Sequence, residues 1–88
     1  MPFAVIDFET TGIAPERTDR VVEVGIVLAD DNWRIEDEWT TLVNPHRDIG
    51  PVHIHGINAG DLLDAPDFTD ISGHVLDLLA GRVVVAHN

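Results

Sequence analysis

The chain has 88 residues, 44% of them hydrophobic and 24% charged, which excludes a disordered or fibrous protein and leaves room for one small globular domain. Sixteen acidic residues against five basic ones give a formal net charge of −11, which disfavours binding to a phosphate backbone unless bound cations reverse the charge locally. There is no cysteine, no apolar run long enough for a membrane span and no signal-peptide pattern, so we expect a cytoplasmic protein with no membrane attachment.

The amino-terminal part of the sequence predicts two strands. Residues 3–8 are apolar on both strand faces until Asp7 and Glu9, a pattern typical of a central strand that is covered on both sides. A polar segment follows, and residues 20–30 then predict a second strand because they are rich in β-branched side chains. The Asp30-Asp31-Asn32 sequence indicates a turn.

Residues 33–43 alternate between apolar and polar side chains, as in a half-exposed antiparallel edge strand. The predicted apolar face of this strand consists of Trp33, Ile35, Trp39, Thr41 and Val43. Asn44-Pro45 ends the strand, and we expect a loop rich in His, Gly and Pro that extends through residues 53–57.

Two helical segments are predicted next. Asn58 and Asp61 have the spacing of a helix N-cap and its third helical position, which predicts one helical turn that ends near Leu63. A longer helix is predicted to begin after Asp67, its N-cap, and to close at Gly81. The predicted apolar face of that helix consists of Phe68, Ile71, Val75, Leu78 and Leu79.

Residues 82–88 are a continuous apolar run of the kind found in a buried parallel strand. Three strands with short connections, then a helical crossover and a last strand, predict an α/β fold with a mixed sheet. In this sheet the last strand runs parallel to the first, because a parallel pair requires a crossover connection.

Asp7 and Glu9 lie two positions apart and therefore on the same strand face, about 6.5–7 Å from each other. Two charges at this distance repel by roughly 2.5 kcal/mol at an effective dielectric constant of about 20. A divalent cation removes this repulsion, and Mg²⁺ and Mn²⁺ prefer carboxylate and water oxygens. Taken alone, the pair is more simply explained as a solvated strand end that starts a turn.

Six segments carry a more specific signal in their order and spacing. They read DFETTG, RVVEVG, LVNP, HGI, DAPDF and VVVAHN. In this combination they resemble the amino-terminal half of the DnaQ-like DEDDh 3′→5′ exonucleases, the family that includes the proofreading ε subunit of bacterial DNA polymerase III. The resemblance implies a ribonuclease H-like fold and the removal of nucleotides from 3′ ends with two divalent ions, Mg²⁺ or Mn²⁺.

The resemblance also implies roles for individual residues. Asp7 and Glu9 match catalytic metal ligands of the family. The residues that match substrate-binding positions are Thr10, Thr11 and Gly12, in a loop against the terminal nucleotide, and His55, Gly56 and Ile57, near its base and sugar. A tight turn with a packed isoleucine is an alternative role for the second group.

Two further positions match the family with other implied roles. Glu23 matches a recurrent acidic position in the second strand, for which we favour a structural role. His87 matches the histidine that opens the family's second motif. This histidine is not the family's general base. The rest of that motif and the third motif, which carries the base, do not occur in the chain.

We therefore expect residues 1–88 to be the amino-terminal part of a single exonuclease domain, inactive alone and prone to self-association through an uncovered sheet face. The expected partners are the single-stranded 3′ end of DNA and, by resemblance, a DNA polymerase. Two alternatives remain open: a non-catalytic binding or regulatory module, and an exonuclease that acts on RNA.

Overall fold

The structure is a computed structural model that describes residues 1–10, 21–45, 53–54, 57–58, 61 and 63–87. Its elements, in chain order, are β1 (Phe3–Thr10), β2 (Val21–Ala29), β3 (Ile35–Leu42), β4 (His53–Ile54), β5 (Ile57–Asn58), α1 (Phe68–Leu79) and β6 (Val83–His87). Four strands form one sheet in the order β3-β2-β1-β6, and β4 pairs with β5 in a separate two-stranded sheet.

The strand directions confirm the predicted mixed sheet. β1 and β3 both pair antiparallel with β2, whereas β6 pairs parallel with β1. The connection from β2 to β3 is a short turn, which suits antiparallel neighbours, and the parallel strand comes only after α1. The sheet is therefore three antiparallel strands joined through a helical crossover to a parallel fourth.

One face of the sheet forms the core with α1. The buried cluster consists of Ala4, Ile6, Val24, Ile26, Leu28 and Val43 from the sheet region and Ile71 and Val75 from the helix. The ring of Trp39 on β3 meets the ring of His74 on α1 edge to face, with centroids 4.9 Å apart. These contacts hold α1 over β2 and β3.

The opposite face of the sheet, here called the open face, carries no residue of the buried core cluster. β1 is central, as predicted, but only its helix-facing residues Ala4 and Ile6 are fully buried, whereas Val5 on the open face is half-buried. Among the described residues, β1 is thus buried at Ala4 and Ile6 on its helix side and partly buried on the other, and cover on both sides stays a prediction.

The burial predicted for the last strand is wrong, although its parallel direction is confirmed. Val83, Val84 and Val85 are 42%, 48% and 36% exposed. The reason is position, because β6 lies at the edge of the sheet and α1 packs over the middle strands. An apolar run cannot by itself distinguish a central strand from an edge strand.

The predicted turn between β2 and β3 is present, but it includes Trp33, which the sequence pattern places in the strand. The Asp30 carboxylate accepts hydrogen bonds from the backbone N–H groups of Asn32 and Arg34, at 2.8 and 3.0 Å. Trp33 has a positive φ of 62°, so it cannot continue a strand. Its ring stacks on Phe3 with centroids 3.8 Å apart.

The predicted ends of α1 are confirmed. Asp67 is the N-cap, and its backbone N–H donates to the Asp70 carboxylate at 3.1 Å. Gly81, just beyond the C-cap, has the positive φ of 73° that favours glycine. Phe68, predicted on the apolar face, is instead 42% exposed, because it begins the helix beside an open cleft rather than over the sheet.

The segment before α1 differs from a plain loop. β4 and β5 pair antiparallel, with Ile54 opposite Ile57, where the sequence predicted only irregular structure. Asp61 and Leu63 are helical, as expected for the predicted helical turn. Asn58, the predicted N-cap of this turn, lies in β5, and residues 59, 60 and 62 lie outside the described residues. No helix among the described residues combines the length and apolar character that a membrane crossing requires.

Arg82 ties four strands together at the end of the sheet where β1 begins. Its Nη1 lies 3.2 Å from the carbonyl oxygen of Phe3, 3.3 Å from that of Ala29 and 3.0 Å from the Glu36 carboxylate. The Arg82 side chain is only 20% exposed, so these bonds are partly shielded from water. A guanidinium suits this position because its donors are rigidly arranged.

We expect Arg82→Ala to lower the free energy of unfolding by about 1–3 kcal/mol, because it leaves carbonyl groups without a charged donor. Arg82→Lys should recover only part of this loss, since an ammonium lacks the planar fork. Urea denaturation followed by circular dichroism measures both. Arg34→Ala, an exposed arginine in the turn, is the matched control, and an equal loss in the two alanine variants would contradict the role of Arg82.

Candidate functional site

Two carboxylates mark the carboxyl end of β1 on the open face of the sheet. Ala4 and Ile6 face the core, so alternation along the strand puts Asp7 and Glu9 together on the opposite face, about 6.5–7 Å apart. Asp7 is exposed and Glu9 is half-buried. Both side chains are held on a strand that is hydrogen-bonded on both sides, at least as far as Asp7.

Asp7 lies beside a cleft that is formed with residues of the neighbouring strands. Gly25 of β2 lies directly opposite Asp7, and Thr40 of β3 lies opposite Gly25. A shallow cleft of about 350 Å³ is lined by Val5, Asp7, Gly25, Ile26, Val27, Glu38, Trp39 and Thr40. Gly25 contributes no side chain to the space beside Asp7.

Gly25, Glu38 and Thr40 were not predicted as site residues. Only the pairing of three strands brings them beside Asp7, and this pairing depends on the register of the sheet. One signal in the sequence could have identified Gly25, because a glycine inside a strand of β-branched residues marks a close approach. A Cβ built on Gly25 would lie 3.9 Å from Thr40 Oγ1, so the strand itself does not require glycine there.

Glu9 faces a second carboxylate across the sheet. Glu23 of β2 is the direct cross-strand partner of Glu9, so their Cβ atoms lie about 4.5–5.5 Å apart on the open face. Like charges in directly opposed positions destabilise a sheet. Glu23 therefore adds a third acidic side chain to the end of the sheet that carries Asp7 and Glu9.

His87 reaches the same end of the sheet from the other side of β1. The parallel pairing makes His87 the direct neighbour of Asp7. β1, β2 and β6 therefore contribute polar residues to one end of the sheet, whereas both predicted metal ligands come from β1.

Of the six predicted substrate-binding residues, the structure describes Thr10 and Ile57. Thr10 ends β1, and the strand register shifts between Glu9 and Thr10, where the pairing partner becomes Val21. The structure places Ile57 in β5. Thr11, Gly12, His55 and Gly56 lie outside the described residues, so their predicted roles stay predictions.

The donor chemistry of Asp7 and Glu9 suits hard divalent cations, because Mg²⁺ sites commonly use one or two carboxylates together with water and substrate phosphates. Among the residues whose placement the structure describes, no group of three or more His, Cys, Asp or Glu side chains is arranged to hold a metal ion. The pair therefore fits part of a metal site but does not complete a site for two ions.

Comparison with known sequences gives consistent matches. A family profile described as "Exonuclease" matches residues 4–88. The chain is 33% identical over 90 residues to DNA polymerase III subunit epsilon of Buchnera aphidicola subsp. Acyrthosiphon pisum (strain APS), covering 96% of the chain and 38% of the relative. It is 33% identical over 89 residues to the 3′-5′ exonuclease DinG of Bacillus subtilis (strain 168), covering 98% of the chain and 9% of the relative.

A solved structure matches the fold as well. The crystal structure of the nuclease domain of 3′hExo, a DEDDh family member bound to rAMP, superposes with a TM-score of 0.69 at 25% sequence identity. The match covers 86% of this chain and 42% of that domain. The chain thus spans less than half the length of each of these proteins.

Glu23→Gln should make the metal-free protein more stable, by about 0.2–1 kcal/mol, because it removes one of two opposed charges. The same change should reduce the extra stability that Mg²⁺ or Mn²⁺ confers. Thermal unfolding in EDTA and in saturating metal measures the two effects. Asp77→Asn on α1 makes the same charge change away from the site, and an identical metal dependence in both variants would exclude a role for Glu23.

Proposed function

The chain belongs to the DEDDh 3′→5′ exonuclease family, and on this basis we propose that it supplies part of a nuclease site that hydrolyses phosphodiester bonds at 3′ ends of DNA. Its mixed sheet is the ribonuclease H-like fold of these exonucleases. The observation that carries the proposal is the position of Asp7 and Glu9, side by side on the open face where the central strand ends. Those two positions match the metal ligands of the family's first motif.

In the proposed site, Asp7 and Glu9 hold Mg²⁺ or Mn²⁺ through carboxylate oxygens. When bound, two such ions would stabilise the attacking and leaving oxygens of the displacement. The pairing of β1 with two neighbours keeps the carboxylates in fixed positions, and Gly25 leaves room for substrate beside Asp7. Thr10, Thr11 and Gly12, and separately His55, Gly56 and Ile57, are proposed to contact the terminal nucleotide.

We further propose that residues 1–88 are the amino-terminal part of a single exonuclease domain. The lengths support this, since the chain spans 38% of an epsilon subunit and 42% of a solved nuclease domain. The complete site then needs further carboxylates and a histidine base from the remainder of the domain. A positioned base contributes about 10²–10⁴-fold to such reactions, so the 88-residue chain should be inactive alone.

DNA is the proposed substrate because of the similarity to subunits named DNA polymerase III epsilon. A polymerase partner, a role in replication and a cytoplasmic location belong to the same proposal. RNA is the second candidate, because the similar nuclease domain of solved structure is bound to rAMP, a ribonucleotide. Nothing in the described residues identifies a contact to a 2′-hydroxyl, the group that distinguishes the two substrates.

Metal binding can be tested on the chain as it is. We expect Mn²⁺ to broaden the backbone NMR signals of residues around Asp7, Glu9 and Gly25 selectively, because a paramagnetic ion acts on nearby nuclei. Asp7→Asn should abolish this broadening, whereas Asp77→Asn should preserve it. Broadening spread evenly over the acidic surface would count against a defined site.

Nuclease activity can be tested by assembling a complete nuclease domain from two chains. The chain is mixed with the remaining part of the nuclease domain of the Buchnera epsilon subunit, and a 5′-labelled single-stranded DNA is added with Mn²⁺. We expect a ladder that shortens from the 3′ end, absent with either chain alone, with EDTA or with Asp7→Ala. A labelled RNA of the same sequence, run in parallel, decides between the two substrates.

Metal binding without cleavage in a mixture shown to form a folded complex would contradict the exonuclease proposal and favour a non-catalytic module. Cleavage by the 88-residue chain alone, sensitive to EDTA and to Asp7→Ala, would instead overturn the proposal that the remainder of the domain is needed.

A further inference from the structure

Gly25 is a glycine that neither the backbone nor the packing of the sheet requires. The described glycine with a positive φ is Gly81, so the backbone of Gly25 has a conformation that other residues adopt as well. A Cβ built on Gly25 would meet Thr40 Oγ1 at 3.9 Å, and apart from its chain neighbours no other atom of the described residues lies within 4 Å. Because a glycine inside a strand is less stable than an alanine, we look for its reason in a group that approaches the strand.

Asp7, Gly25 and Thr40 form one row across β1, β2 and β3. Directly opposed residues of antiparallel strands point to the same face, so the side chains of Asp7 and Thr40 project from the open face on either side of Gly25. All three residues line the shallow cleft of about 350 Å³. The Cβ of Asp7 lies about 4.5–5.5 Å from the Cβ position of Gly25, and therefore at most about 9.4 Å from Thr40 Oγ1.

The hydroxyl group of Thr40 can only accept a hydrogen bond on the cleft side. Its hydrogen is donated to the carbonyl oxygen of Val24 on β2, at an Oγ1–O distance of 3.2 Å. A hydroxyl group has one hydrogen to donate and two lone pairs that accept. The group that meets Thr40 in the cleft must therefore be a donor. A phosphate or carboxylate oxygen does not suit this position, whereas a water molecule does.

We propose that Thr40 is a positioning residue for the cation at Asp7, because its hydroxyl oxygen accepts a hydrogen bond from a water molecule that the cation carries. This water occupies the space that a side chain at Gly25 would fill. Mg²⁺ keeps several waters when it binds protein carboxylates, so such a donor is available. This role of Thr40 rests on the proposed binding of a cation by Asp7, and it adds the group that orients the cation from the neighbouring strands.

The dimensions of the cleft agree with one cation and one water between Asp7 and Thr40. A carboxylate oxygen reaches about 2.4 Å beyond its Cβ. Two metal–oxygen distances of about 2.1 Å and one hydrogen bond of about 2.8 Å complete a span of about 9.4 Å, the upper limit of the separation between Asp7 Cβ and Thr40 Oγ1. A methyl group on Gly25 would lie in the middle of this span.

Gly25→Ala tests whether the space is needed by the cation and not by the sheet. Titration with Mn²⁺, with the free ion measured by electron paramagnetic resonance, gives the affinity. We expect binding to weaken by at least about tenfold, as for other changes in the groups around metal ligands. Resistance to urea should stay equal or increase, because alanine is the more stable residue in a strand. Gly73→Ala on α1, where a Cβ meets no described atom within 4 Å, is the matched control and should bind Mn²⁺ like the parent.

Thr40→Val tests the hydroxyl oxygen, since valine keeps the β-branched shape. We expect Mn²⁺ to bind about three- to tenfold more weakly, and Thr40→Ser to restore most of the affinity. Relaxation of the solvent protons measures how long water stays on the bound ion, and Thr40→Val should shorten this time, which a purely structural role would not change. Thr41→Val is the control, because the Thr41 hydroxyl donates to the carbonyl oxygen of Leu42 at 3.0 Å and the next residue along a strand points to the opposite face.

The outcomes separate this role from the proposed function. Parent-like Mn²⁺ affinity in folded Gly25→Ala and Thr40→Val would overturn the role of Thr40 and leave metal binding by Asp7 and Glu9 intact. An equal loss in Thr40→Val and Thr41→Val would overturn it as well. If Asp7→Asn binds Mn²⁺ as the parent does, the proposed metal site and the role of Thr40 are both wrong.

Discussion

The pairing of β1 with β2 on one side and β6 on the other is the constraint on which the structure depends. Because side chains alternate along a strand, a slip of one residue would turn Asp7 and Glu9 toward the helix and expose Ala4 and Ile6. Burial of two carboxylates against Ile71 and Val75 would cost several kcal/mol. The core thus fixes the register, and the register presents the carboxylates to solvent.

The two faces of the sheet have different physical roles. The helix-facing side is filled by aliphatic residues and closed by α1, which supplies the stability of a small domain. The open face carries Asp7, Glu9 and Glu23 at one end, and like charges placed this close oppose the stability of a sheet unless other groups compensate them. Stability and the proposed metal binding therefore come from opposite sides of the same strands.

Local sequence patterns predicted which segments form strands and helices better than they predicted how exposed each segment is. The β-branched run of β2, the Asp67 cap and Gly81 each act within a few residues, and the structure confirms the elements they indicate. Exposure of β6 could not be predicted, because it depends on which strand lies at the edge. The positive φ of Trp33 depends on a turn whose geometry is fixed by the carboxylate of Asp30.

The candidate site shows the same difference between residues that a local pattern identifies and residues that only the folded sheet brings together. Asp7 and Glu9 were identified from spacing and resemblance, since both lie on one strand. Gly25, Thr40 and Glu38 belong to strands whose register only the folded sheet determines. The family membership indicated by the resemblance is confirmed, whereas the roles of the residues in the two predicted substrate loops still depend on the resemblance.

The contact between Arg82 and Phe3 joins residues 79 positions apart in the sequence. During synthesis on a ribosome, β1 emerges early but cannot acquire its parallel neighbour until β6 has been made. Until then the central strand has the unpaired backbone of an edge strand, on a chain with a high proportion of long-range contacts. For this sheet, the order in which the chain emerges delays the closure of its centre until residues 83–87 are available.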